Sequence, residues 1–441
     1  MADALSAARG FLASLPSGVM GRKILCAVSG GCDSVCLAHM LYSLKDEMGF
    51  SVALAHVEHG IRGETSLRDA RFVRDFAARL SLPFYIESVD APAFAKKNGL
   101  SVETAARQLR YSALKRMADE YGAYYTATAH HALDQIETVM MHMLRGSGLH
   151  GLCGIAPVSG SLIRPLLSLD KDELLDYARL NSLSFMQDET NSDASYRRNE
   201  MRLSVVPALL SYEPSFTRMI SRLTESLRMD DEALEALAQG ELSARMYASE
   251  RIAFLRLDGL EGSAGAIKRR LLRAFAGNAA GLTLEYDKTE ELCAFISGER
   301  GRIINLPESN RAYLGNGRLY ILRKRDESSF PLEEKFTVSE KKPQSGLYHA
   351  FPKALLSKAE ARTRREGDFI IPFGMRGKKN VSDLMTDKKL DLPLRDAIFS
   401  VYSGAEALWI PSVCASERLR VSGGDDFVYL SPSGDFDKII K

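Results

Sequence analysis

Six consecutive residues near the start of the chain, Ser29-Gly30-Gly31-Cys32-Asp33-Ser34, are of the types that hold a phosphate. Glycines let a backbone approach an anion closely. Where such a loop runs into a helix, the free N–H groups and the helix dipole attract negative charge. Ser29 and Ser34 add hydroxyl donors. Asp33 would repel a phosphate unless a cation lay between them, so the loop implies Mg²⁺ at Asp33. The pattern is not Gly-x-x-x-x-Gly-Lys-Ser/Thr, because the terminal Lys-Ser is absent. The plainer alternative is a glycine turn ahead of a helix.

Four further segments carry chemistry-bearing side chains. His56-Val57-Glu58-His59-Gly60 closes an apolar run. Glu103 to Tyr111 places Arg107 and Arg110 three apart, hence on one helical face, although a solvated face with a Glu103–Arg107 pair has the same spacing. Thr128-Ala129-His130-His131-Ala132-Leu133-Asp134-Gln135 puts two histidines and a carboxylate together, with helix capping as an alternative role for Asp134. Gln187 to Asp193 runs into Tyr196-Arg197-Arg198-Asn199-Glu200-Met201-Arg202, which reads equally as a charged surface loop. Gly146 to Gly151 satisfies Gly-x-Gly-x-x-Gly, but it follows a helix rather than a strand, which argues against a dinucleotide site.

These residues need elements to position them. Lys23–Val28, Val52–Val57, Phe84–Val89 and Tyr124–Thr128 are short apolar runs of strand character. Between and after them, 33–44, 66–80, 101–121 and 134–144 carry apolar residues at helical spacing. The alternation predicts a doubly wound parallel sheet covered on both faces, with its ligand at the carboxyl ends of the strands. Beyond about Pro207 the pattern changes. Residues 214–247 and 266–276 read as helices, Ile303–Arg323 as a strand pair, and 325–348 as a polar linker plus a strand. Residues 349–441 read as a small mixed α/β domain. The expected domains are therefore 1–210, a mainly helical 211–325, a linker at 326–348, and 349–441.

Composition narrows the class. A chain of 441 residues exceeds one ordinary core. With 45% hydrophobic and 26% charged residues, and no apolar run near the ~20 residues of a membrane helix, it reads as a soluble, cytoplasmic protein with no membrane partner. The six cysteines include no Cys-x-x-Cys pair, and the histidines no His-x-x-x-His pair, which argues against a disulfide framework or a transition metal. The net charge is +1, so any grip on nucleic acid must be local. Local clusters exist at Lys268–Arg273, Arg362–Arg365, Arg376–Lys379, Lys388-Lys389 and Arg395.

The Ser29–Ser34 loop resembles the PP-loop of the N-type ATP pyrophosphatases, which use ATP to adenylylate an oxygen and release pyrophosphate. Within that superfamily, His56–Gly60, Thr104–Tyr111, His130–Gln135, Arg145–Gly148, Arg164–Leu167 and Asp188–Arg202, in this order, resemble the tRNA(Ile)-lysidine synthetases. Glu58 stands where that family often has His, and Leu133 where it often has Asp, leaving Asp134 as the carboxylate at that spot. The resemblance implies a PP-loop ATPase domain at 1–210 and a basic tRNA-binding C-terminal domain. It implies a carbon–nitrogen ligase that joins free L-lysine to C2 of the wobble cytidine in isoleucine tRNA with a CAU anticodon, through an adenylylated base. ATP and Mg²⁺ are the implied cofactors. Ser29, Gly30, Gly31, Cys32, Asp33, Ser34, His56, His59 and His130 are the implied nucleotide-binding residues, with the metal on Asp33. Asp33, Asp134, Arg107, Arg110, Arg198 and Arg202 are the implied catalytic set, with Asp134 binding or deprotonating the lysine. A homodimer is left open. The rivals are an RNA-thiolating relative, which would need paired cysteines, an amide-forming synthetase, and a non-catalytic RNA-binding relative.

Overall fold

The computed structural model describes residues 4–58, 60, 64–186, 200–249, 252–322, 329–421 and 426–433, with backbone alone at 64–67 and 329. The chain forms two compact units, Met1–Asp231 and Glu232–Lys441.

The first unit is built on a six-stranded sheet of order β3-β2-β1-β4-β6-β5. Its strands are β1 (Lys23–Ala27), β2 (Ser51–Glu58), β3 (Phe84–Ser88), β4 (Tyr125–Ala127), β5 (Val158–Ser159) and β6 (Leu162–Ile163). All pairings are parallel except β5 with β6. Successive side chains of a strand point to opposite faces. Accordingly Ile24, Cys26, Val52 and Leu54 pack on one face with α1 (Ala4–Ala13), α2 (Cys32–Met48) and, later in the chain, Lys171–Leu180. Leu25, Ala53 and Ala55 pack on the other face, against Ala113, Leu114 and Met117. Burying each large apolar side chain contributes about 1.5–3 kcal/mol, so both faces need covering.

Local chemistry sets the helix ends. α3 is Glu64–Arg79. Asp90 accepts from the Ala93 N–H at 2.9 Å to start α4 (Ala91–Asn98), and Ser101 accepts from the Thr104 N–H at 3.2 Å to start α5 (Val102–Tyr121). Left-handed glycines at 49, 99 and 122 end α2, α4 and α5. α6 (Ala132–Leu144) follows β4, α7 (Leu149–Leu152) follows in turn, and α8 is Lys171–Leu180. The π-helical turn Met201–Val205 leads into α9 (Val206–Tyr212), and α10 (Phe216–Arg245) crosses the unit boundary. The strands and long helices expected up to residue 144 are present within a few residues. The short α1, α4 and α8, and the β5–β6 hairpin, lie where the sequence shows only brief periodicity.

In the second unit, Met246–Ala248, Ala253–Arg256, Ile303–Asn305, Arg311–Leu314 and Arg318–Leu322 form an antiparallel sheet. It packs with α11 (Gly265–Ala280) and α12 (Tyr286–Phe295) around Leu271, Leu272, Phe275 and Leu319. Where the sequence shows a linker and a strand, Phe336–Ser339 pairs with Phe427–Pro432, and Leu332 and Phe336 are buried. Several residues of the basic clusters are engaged internally. Arg362 is fully buried, forms a two-pronged bond with Asp368 at 2.7 and 2.8 Å, and stacks 3.6 Å above the Tyr402 ring. Arg364 pairs with Asp396 at 2.7 Å, Arg269 pairs with Glu290, and Arg395 caps the Leu390 carbonyl. Arg273, Arg365, Arg376, Lys378, Lys379, Lys388 and Lys389 are exposed.

Candidate active site

A cavity of about 510 Å³ opens at the carboxyl ends of β1, β2 and β4. The strand order reverses between β1 and its two neighbours, which is where a doubly wound sheet receives its ligand. The volume suits a nucleotide-sized molecule. Ser29, Gly31, Asp33 and Ser34 line it from the loop, His56 and Glu58 from β2, Arg107 and Arg110 from α5, Thr128, His130 and Asp134 from the β4–α6 turn, and Arg202 from the π-helical turn.

The loop is braced from within. Ser34 Oγ accepts from the Ser29 N–H at 3.1 Å and donates to the Gly31 carbonyl at 2.9 Å. Gly30 has φ +97°, a conformation that side chains resist, and its carbonyl accepts from the Met186 N–H at 2.9 Å. Gly31 caps α2 without a side chain, so the first helical N–H groups stay open to a ligand. Cys32, the first residue of α2, is buried.

Asp33 makes an ion pair with Lys171, and His131 Nε2 lies 3.6 Å from its other oxygen. Burial opposes its charge, but His131 and Lys171 overcome that and hold the carboxyl below the usual range. Asp134 Oδ2 accepts from the His131 N–H at 3.0 Å, and the His131 ring accepts from the Leu133 N–H, a reciprocal cap on α6. Asp134 Oδ1 accepts from Arg202 Nη2 at 3.1 Å, and Arg202 Nε donates to Glu137 at 2.6 Å. Glu137 is 1% exposed. The capping alternative for Asp134 and its place in the site thus both hold. On the opposite wall, Arg107 and Arg110 lie 5.4 and 5.3 Å from the Tyr111 ring centroid. No ion pair joins Arg107 to Glu103 among the described residues. Buried Arg164 adds a third guanidinium acting on Tyr111.

Residues 6–209 match the model of the PP-loop domain. The chain is 31% identical over 424 residues to the tRNA(Ile)-lysidine synthase of Caldanaerobacter subterraneus subsp. tengcongensis, covering 90% of this chain and 91% of that one. It is 30% identical to that of Clostridium acetobutylicum, over 90% and 92% of the two chains, and 33% identical to that of Dehalococcoides mccartyi, over 91% and 93%. The chain belongs to the tRNA(Ile)-lysidine synthase family.

Of the residues implied by the lysidine synthase resemblance, Ser29, Gly30, Gly31, Cys32, Asp33, Ser34, His56, Arg107, Arg110, His130, Asp134 and Arg202 all lie in the loop or around this cavity. His59 and Arg198 lie outside the described residues, as do Asp188 and Asn191. The two neighbouring histidines divide their work. Burial lowers the pKa of His130 to about 4, against the pull of Asp134, so it is neutral and holds Thr128 Oγ1 at 3.0 Å. Burial also works against charge on His131, but Asp33 and Asp134 reverse that and raise its pKa. The Leu133 N–H aimed at Nδ1 directs the ring proton to Nε2, toward both carboxylates. Asp134 is held low in turn: burial raises its pKa, and His131 and its neighbours more than offset this. The His56 ring meets the Val28 carbonyl at 2.8 Å, fixing its orientation at the cavity wall.

Four participants stand outside the catalytic and nucleotide-binding set that the resemblance implies. His131 was grouped with His130 but is the residue that joins Asp33 to Asp134. Glu137 was detectable, since it lies three residues from Asp134 on one helical face. Arg164 opens the Arg-Pro-Leu-Leu segment. Lys171 carried no local signal, being separated from Asp33 by 138 positions. Gln135, by contrast, turns away from the site: its side-chain oxygen accepts from the Ile155 N–H at 2.6 Å and holds that loop.

Proposed function

We propose that this chain is a tRNA(Ile)-lysidine synthase, joining free L-lysine to C2 of the wobble cytidine in the CAU anticodon of isoleucine tRNA and releasing AMP and pyrophosphate. The observation that carries the reading is the meeting, in one cavity, of a phosphate-type loop, the buried carboxylate of Asp134 and the arginines Arg107, Arg110 and Arg202, in a chain that matches a lysidine synthase over 90% of its length.

In this reading the open N–H groups of α2 and the Ser29–Ser34 loop hold the pyrophosphate end of ATP. The C2 oxygen of the cytosine attacks the α-phosphorus and pyrophosphate leaves. The lysine ε-amine then adds at C2, AMP departs, and the amine proton is lost. Arg107 and Arg110, with Arg164 behind them, neutralise the phosphate as charge shifts. Arg198 belongs to the same proposed set. Asp134 offers an anionic wall for the lysine ammonium, and buried Glu137 shares Arg202 with it. Their bonds to Arg202, and the depressed pKa of Asp134, favour binding over proton removal. An ammonium of pKa about 10.4 must be neutral to attack.

Mg²⁺ fits as an ion delivered with the nucleotide. No group of three or more His, Cys, Asp or Glu side chains among the described residues could cage a metal. Asp33 offers one carboxylate beside the loop, which matches the habit of Mg²⁺ of taking one or two carboxylates plus substrate phosphates. Bound there, the ion would neutralise the departing pyrophosphate.

The proposed domains are the catalytic 1–210, the tRNA-contacting 211–325, the linker 326–348 and the basic tRNA-binding 349–441. Exposed Arg365, Arg376, Lys378, Lys379, Lys388 and Lys389 would grip the RNA backbone. No helix among the described residues is long and apolar enough to cross a membrane, and the proposed location is the cytoplasm. The test is incubation with ATP, Mg²⁺, labelled lysine and unmodified isoleucine tRNA. Label should enter the tRNA with AMP release. AMP release that follows another acceptor, with no label in the tRNA, would overturn the reading.

A further inference from the structure

The ion pair between Lys171 and Asp33 is not explained by the chemistry above. Asp33 is the carboxylate proposed to meet the metal, yet its Oδ1 is held by an ammonium and its Oδ2 faces His131 Nε2 at 3.6 Å. The pair is built rather than incidental. Lys171 is the first residue of α8, whose start is capped by Glu173, its carboxylate accepting from the Asp170 N–H at 2.8 Å. α8 is pinned to α2, the helix that carries Asp33. Leu174 is fully buried, its carbonyl accepts from Cys36 Sγ at 3.3 Å, and the Tyr177 hydroxyl meets the His39 ring at 2.8 Å. The root of the Lys171 side chain is therefore set against the phosphate loop, and the side chain is 35% exposed.

The surrounding charges lead to the same conclusion. Asp33 is matched by Lys171, and Asp134 and Glu137 share Arg202. At Asp33 a hydrated dication meets a carboxylate that already has a cationic partner, and it must displace that partner while losing water, which Mg²⁺ does reluctantly. A triphosphate changes that balance, because its oxygens supply both metal ligands and an alternative anion for the freed ammonium.

We infer that Lys171 is a positioning residue that, through its ion pair with Asp33, makes entry of a divalent cation at that carboxylate conditional on a polyphosphate arriving with it. The inference rests on the reading that Asp33 holds the metal.

The test is Mn²⁺ binding to the full chain without nucleotide, followed by water-proton relaxation, in the wild type, Lys171→Gln, Lys171→Arg, Asp33→Asn and the Asp33→Asn/Lys171→Gln double variant. An opposite charge in contact with a carboxylate shifts its proton affinity by about one to three pK units. Removing the ammonium should therefore tighten Mn²⁺ binding by about tenfold. Lys171→Arg should stay near the wild type, and the double variant should lose the gain. With a non-hydrolysable ATP analogue present, the difference between wild type and Lys171→Gln should shrink. Unchanged or weaker Mn²⁺ binding in Lys171→Gln overturns the role given to Lys171. A gain that survives in the double variant overturns the assignment of the metal to Asp33 instead. Unchanged unfolding midpoints of the single variants exclude a folding effect, and Lys171→Met provides a second charge-free variant if Lys171→Gln is unstable.

Discussion

Arg202 shows how one side chain serves both stability and chemistry. It bridges Asp134 and the almost fully buried Glu137, and its own charge is favoured because these carboxylates outweigh its burial. Removing one member of a buried pair costs up to about 3–5 kcal/mol where nothing else compensates the charge that remains. Arg202 is itself 37% exposed, so solvent screening reduces this, and Arg202→Ala should destabilise the protein by about 2 kcal/mol. Urea unfolding measures it, and a change within error would show that Glu137 finds other partners. In the proposed reaction the same variant should shift the KM for lysine more than that for ATP, since it changes the charge around Asp134 and not the phosphate loop.

At the scale of elements, the phosphate loop depends on a backbone shape. Gly30 at φ +97° lies where a Cβ is strained, and Met186, Phe72 and Val73 surround the space a Cβ would enter at 3.6–3.8 Å. Gly30→Ala should therefore cost about 1–2 kcal/mol from conformation alone and disturb the N–H groups aimed at the ligand. The expected result is loss of the thermal shift that ATP induces in the wild type. A variant that keeps a full shift would show that the loop relaxes without losing its phosphate geometry. A second junction lies in the C-terminal unit. Asp391 accepts from the Asn316 N–H at 2.9 Å and the Tyr320 hydroxyl at 2.8 Å, and Leu394 and Ala397 pack with Phe254, Tyr313 and Tyr320. Asp391→Ala removes the acceptor of the buried Tyr320 hydroxyl proton, leaving only the Arg318 contact on its oxygen, and should cost about 1–3 kcal/mol. Chemical denaturation of the full chain, followed by a probe in residues 246–322, checks this.

Over the whole molecule, a near-neutral chain must hold a polyanion with a few well-placed cations. The exposed Lys378 and Lys379 are candidates, and the buried Arg362 is not. Each lysine that contacts a phosphate contributes about one unit to the slope of log affinity against log salt. Lys378→Ala/Lys379→Ala should lower that slope for tRNA by about two, at a stability cost of no more than about 1 kcal/mol from the lost contact of Lys378 with the Phe369 ring. Arg362→Ala should do the opposite, destabilising the second unit by about 3 kcal/mol or more because Asp368 stays buried. A salt slope unchanged in the lysine double variant would move the RNA contact elsewhere.

The division between sequence and structure follows the range of the interactions. Strand and helix periods are local, so the parallel sheet, the loop at Ser29–Ser34 and the capping of α6 by His131 and Asp134 could be anticipated from neighbours three or four residues apart. Family motifs in order along the chain placed Arg107, Arg110, Asp134 and Arg202 near one ligand. Only the tertiary structure decided which of them touch. Charge patterning alone made Arg362 look like an RNA contact, because a run of basic residues does not reveal that a turn folds Asp368 and the Tyr402 ring against it. Lys171 shows the limit most clearly. Nothing within a helical turn of it indicates a partner, and its pairing with Asp33 exists because α8 packs on α2 through Leu174 and Tyr177, a contact determined by burial on one face of the sheet rather than by sequence proximity.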